Sequence, residues 1–97
     1  QVLVISLKDS LQEYGKEVKK SLEENSIRSD IDNRNETLDK RIRQAELNKV
    51  PYVLVVGERE LKEGTVSVRK RSVGDVGVVP LEQFIKQIRE EIQNKVY

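Results

Sequence analysis

Residues 50–57 read VPYVLVVG, and the fold is decided there. Tyr52 to Val56 is an unbroken apolar run, rich in β-branched valine and bounded by Pro51 and Gly57. Such a run fits a strand buried on both faces, which needs a helical layer above and below it. Immediately upstream, Leu38, Ile42 and Ala45 recur at helical spacing, with Leu47 near the end. Lys40, Arg41, Arg43 and Lys49 are left for solvent or a partner. Val50-Pro51 stops this helix, because the residue before a proline is pushed out of helical geometry.

Further upstream, Asn33–Glu36 is a polar break and Ser26–Asp32 alternates as a half-exposed strand. Leu11, Tyr14, Val18 and Leu22 form one helical stripe, and Ser10 with Glu13 has the spacing of a capping box. The run VLVISL at residues 2–7 is a second doubly buried strand. Downstream, Glu58–Gly64 reads as a charged hairpin connection. Thr65–Arg71 alternates, with Val66 and Val68 on one side and Ser67, Arg69 and Arg71 on the other. Gly74 and Gly77 bracket a turn before a short strand at Val78-Val79. Pro80 then opens a helix with Leu81, Phe84, Ile85, Ile88 and Ile92 on one stripe. The expected order is β-α-β-α-β-β-β-α. That is a three-layer α/β/α domain over residues 1–97, with a mixed sheet between three helices.

Composition narrows the chemistry. The 97 residues hold 18 Lys or Arg and 17 Asp or Glu, a net charge of +1, and no His, Cys, Met or Trp. Without Cys there are no disulfides, thiolate metal sites or Cys nucleophiles. Without His the usual general base and the commonest metal ligand are missing. No apolar run approaches the roughly 18 residues of a membrane span, and a cytoplasmic setting is expected. Because Met is absent, Gln1 is not read as a native start, and the chain is expected to be a piece of a longer protein.

The small net charge hides a gradient. Residues 34–71 hold ten basic and six acidic residues, a net +4, leaving eight basic and eleven acidic residues, −3, elsewhere. A basic middle segment is what a phosphate backbone would need, although it also suits a well-solvated surface. No phosphate loop is present. Asp30 with Asp32 could hold a hard cation, but the surrounding basic residues favour charge compensation. No Ser or Thr has a Lys base at a catalytic spacing. By elimination the chain is a binding module. A rigid strand presenting Arg69 and Arg71 can meet a guanine edge or a phosphate with a guanidinium fork. Glu60 lies just before this strand; it is read either as a salt-bridge partner or, with an Arg, as a base reader. Aromatic platforms for single-stranded RNA are nearly missing.

Four blocks carry a resemblance: DNRNE at 32–36, KRIR at 40–43, VPYVLVVGERE at 50–60 and GTVSVRKR at 64–71. Together they resemble the C-terminal anticodon-binding domain of class IIa aminoacyl-tRNA synthetases, most closely the threonyl members, over essentially the whole chain. The resemblance implies a five-stranded mixed sheet with three helices. It also implies a domain that grips the anticodon stem-loop of threonine tRNA, while a catalytic domain elsewhere attaches threonine. On that reading Asn35, Glu60 and Arg69 read the second and third anticodon bases. Arg34, Lys40, Arg43 and Arg71 would meet the RNA backbone. Asp39 departs from the family, which often has Gly there, and places a negative charge beside Lys40. The implied partners are the tRNA and the rest of a homodimeric synthetase. No cofactor is expected in this domain; ATP, magnesium and zinc belong to the catalytic part. Two alternatives stand beside this reading: a protein-interaction or dimerisation module on the same fold, and the corresponding domain of a prolyl, glycyl or histidyl relative.

Overall fold

The computed structural model describes residues 2–32, 37–71 and 73–94. Strand β1 (Val2–Ser6) leads into helix α1 (Gln12–Glu24), followed by β2 (Ser29–Asp32), α2 (Leu38–Leu47) and β3 (Tyr52–Val56). A short helix α3 (Glu58–Glu63), the hairpin β4 (Thr65–Lys70) and β5 (Gly74–Pro80), and helix α4 (Leu81–Asn94) complete the chain. The five strands form one sheet in the order β2-β1-β3-β4-β5. β1 runs parallel to both β2 and β3, and the β4 and β5 pairings are antiparallel.

The expected three-layer mixed sheet is therefore present, with one helix more than the three expected. The connection after β3 is not an irregular hairpin but α3. Its start is held by Glu60, whose Oε1 accepts from the Gly57 backbone N–H at 2.8 Å. It ends on Gly64 at φ +68°, a left-handed turn that glycine enters without strain.

Local chemistry explains the other boundaries. A single 3-10 turn at Asp9–Leu11 replaces the expected Ser10/Glu13 capping box, and no side chain caps α1. The Leu11 N–H bonds to the Lys8 carbonyl, so Ser10 already lies inside the turn. Two helices end in the same way. Ser26 (φ +64°) after α1 and Lys49 (φ +60°) after α2 enter the left-handed region. In each case the next amide reaches back to the helix, Ile27 N–H to Leu22 and Val50 N–H to Ala45. β2 consequently starts at Ser29, later than the alternation suggested.

Two cores sandwich the sheet. On one face Val2, Val4, Leu54, Val56, Val66 and Val68 meet Tyr14, Val18 and Leu22 of α1, and Phe84, Ile85 and Ile88 of α4. Phe84 sets its ring edge-on to Tyr52, with centroids 5.5 Å apart. The Tyr52 hydroxyl donates to Glu91 at 2.6 Å, tying the sheet to α4. Burial, then the Glu91 contact, raise the Tyr52 phenol pKa, so it remains a donor at neutral pH. On the other face Ile5, Val53 and Val55 meet Ile42 and Ala45 of α2. Gly15 lets α1 approach the sheet; a Cβ there would lie 2.6 Å from Ser6 Oγ. The side chain of Ile92, expected on the α4 stripe, lies outside the described residues.

Candidate nucleic-acid interface

Helix α2 covers β1 and β3, and no described helix covers the β4–β5 half of that face. Register fixes what stands there. Ser67 and Arg69 of β4 lie opposite Val55 and Val53, both of which face α2. On the outer side, Ser67 pairs with Val78 and Arg69 with Asp75. Ser67 and Arg69 are half-buried, whereas Val78 is 50% exposed. The result is a surface with a guanidinium beside an apolar patch, next to helix α2 with its exposed Lys40 and Arg43.

Arg69 has no ion-pair partner among the described residues, and its Nε is shielded without a hydrogen bond. Its stem is thus fixed in the sheet while its fork is not claimed by an acid. Glu60 is only 8% exposed. One of its carboxylate oxygens is held by Gly57, and the position is set by α3 rather than by a loop. Burial, then the charges of Glu60 and Glu17, raise the Tyr14 phenol pKa, and its hydroxyl donates to the Thr65 carbonyl at 2.8 Å. Glu60 and Arg69 stand at opposite ends of β4. The four steps from Thr65 to Arg69 span about 13 Å of strand.

Lys40 and Arg43 are both exposed on α2, and their spacing of three places them on neighbouring turns. Thr37 caps this helix, its Oγ1 accepting from the Lys40 N–H at 3.3 Å, so one of the first-turn amides is already occupied. Asp39 is exposed in the same turn. Arg71 is exposed, but it lies in the turn after β4 rather than on the strand; its N–H donates to the Pro51 carbonyl. Arg34 and Asn35 lie outside the described residues.

Two residues assigned to solvent by the sequence are inside. Arg41 is 6% exposed and donates from its Nη1 to the Ser6 carbonyl at 3.1 Å, anchoring α2 to the end of β1. The signal was in the spacing: Leu38, Arg41, Ile42 and Ala45 share one stripe. Asp32 is also 6% exposed, at the end of β2, unlike exposed Asp30. No group of three His, Cys, Asp or Glu that could hold a metal occurs among the described residues. Nor is any described helix long and apolar enough to cross a membrane.

Comparison with known proteins bears on the family and the fold. The anticodon binding domain family model matches residues 1–91. The chain is 47% identical over 95 residues to a threonine–tRNA ligase of Clostridium botulinum strain Hall, covering 98% of this chain and 15% of that protein. With the Clostridium kluyveri threonine–tRNA ligase it shares 44% identity over 96 residues, again 15% of that protein. It thus spans about 15% of the length of these curated relatives. The crystal structure of the RNA binding domain of threonyl-tRNA synthetase from Cryptosporidium parvum superposes with a TM-score of 0.86 at 28% identity, over 93% of this chain and 23% of that one. A histidyl-tRNA synthetase from Nostoc superposes equally well, TM-score 0.86, at 19% identity over 95% of this chain and 22% of that one, which speaks to the fold alone. With a family model matched across nearly its full length, the chain belongs to the anticodon-binding domain family.

Proposed function

We propose that this chain is the anticodon-binding domain of a threonine–tRNA ligase. It holds the anticodon stem-loop of threonine tRNA while a catalytic domain of the same enzyme attaches threonine with ATP. The observation that carries the reading is near-full-length identity of 44–47% to threonine–tRNA ligases. Arg69, which has no ion-pair partner among the described residues, supports it from the open half of the sheet. In this reading Lys40, Arg43, Arg34 and Arg71 position the RNA through its phosphates, and Asn35, Glu60 and Arg69 read bases. Arg69 offers two parallel donors to a guanine edge, and the second oxygen of Glu60 accepts from a base amino or imino group. ATP, magnesium and zinc belong to the catalytic domain; with no His or Cys, these residues do not suit zinc. The full enzyme is read as a cytoplasmic homodimer.

Titration of the chain with threonine tRNA carrying its own or altered anticodons tests this. Discrimination at the second and third bases is expected; indifference would favour a protein-interaction role for the same fold. Lys40→Ala and Arg43→Ala should weaken all tRNAs alike. Each should flatten the slope of log affinity against log salt by about one for every phosphate no longer neutralised. An unchanged slope removes that residue from the interface.

A further inference from the structure

The direct cross-strand neighbour of Arg69 is an acid, Asp75 of β5. Opposite charges in that position ordinarily attract, and a guanidinium clamped by a carboxylate must be released before it can bind anything else. Here the carboxylate is engaged elsewhere. Asp75 Oδ1 accepts from the Gly77 backbone N–H at 2.9 Å, and no Arg69–Asp75 ion pair is present. Two features of the chain enforce this. The register shifts between Val68 and Arg69, so that Val68 faces Gly77, Arg69 faces Asp75, and Val76 is the extra residue of a bulge. Gly77 itself sits at φ +106°, where a side chain would be strained, which turns its N–H back toward Asp75.

We propose that Asp75 is a positioning residue for the Arg69 contact: it closes the bulge through Gly77, and the same bond holds its carboxylate off the guanidinium, leaving the fork to the RNA. The inference rests on Arg69 being a base reader, and the experiment separates the two. Affinity for threonine tRNA is measured for the parent chain, Asp75→Ala, Asp75→Asn, Arg69→Ala and the Arg69→Ala/Asp75→Ala pair, with thermal melting of each. Asp75→Asn keeps an acceptor oxygen for Gly77 and should bind like the parent. Asp75→Ala should bind about three- to tenfold more weakly, and should add little to the loss already caused by Arg69→Ala, as expected for coupled neighbours. Tighter binding by both Asp75 variants would mean that the carboxylate competes for Arg69, and would overturn the proposal. So would an Asp75→Ala loss that persists undiminished in the Arg69→Ala background, because that is the signature of a purely structural role. Parent-like binding by Asp75→Ala, with Arg69→Ala defective, sinks the inference alone; parent-like binding by Arg69→Ala sinks the reading beneath it.

Discussion

Arg69→Ala is expected to weaken binding of threonine tRNA by about 1–3 kcal/mol, roughly five- to 150-fold, with the loss concentrated at one anticodon base. The magnitude follows from what the strand provides. The Arg69 backbone is held between β3 and β5 and its Nε is shielded, so part of the side-chain freedom is already lost before binding. Arg69→Lys separates charge from shape. A lysine keeps the positive charge but not the planar fork, so its discrimination should fall almost as far as that of the alanine variant. Its salt dependence should stay near the parent's. Titrations at two or more salt concentrations, with tRNAs altered at the second or third anticodon base, read both quantities. Uniform weakening across all anticodons would recast Arg69 as a phosphate contact.

The second large effect concerns stability. Phe84 is 2% exposed and joins α4 to Tyr52 and the main core. Phe84→Ala should cost about 3–5 kcal/mol, because the loss of apolar burial is compounded by the cavity left behind. A domain of this size has only about 5–15 kcal/mol in hand. At roughly 4–8 °C per kcal/mol, melting should fall by about 12–40 °C. Phe84→Leu, which refills most of the volume, should recover more than half of that. Urea melts should show a lower midpoint with an unchanged slope. A drop of less than about 5 °C would mean that α4 does not pack through this ring.

How the sequence announced these features differs from residue to residue. The sheet was legible because Val2–Ser6 and Tyr52–Val56 are apolar on both faces, and α1 and α4 because their stripes are uninterrupted. Helix α3 was not. Its six residues are ERELKE, with one apolar side chain, so no period appears, and its capping signals are faint: a Gly57 N-cap without a side chain, Glu60 three positions on, and Gly64 past the end. Arg41 and Asp32 escaped for a different reason. A charge is ordinarily left in water because burying it is costly, and only a contact such as Arg41 to the Ser6 carbonyl reverses that expectation. Arg69 was visible from strand alternation alone, but its freedom from Asp75 was not. That freedom depends on a bulge, and a bulge changes which residues are opposite without changing the alternation of β4. Likewise Glu60 was found as an acid near an Arg, while its burial and its bond to Gly57 needed the helix that the charged run concealed.

β1 is enclosed on both edges and both faces, and one of its edges is closed by β3: Val4 lies beside Leu54, fifty positions later. During synthesis this apolar strand is made early and waits for its second neighbour. At 5–20 residues per second the delay is on the order of several seconds. In that interval β2 can pair with one edge only, and the other stays open to any passing strand. The hairpin bearing Arg69 attaches to β3 and is made later still. The surface proposed to meet RNA is therefore among the last parts of the domain to form, and its existence depends on β1 having stayed unspoiled until then.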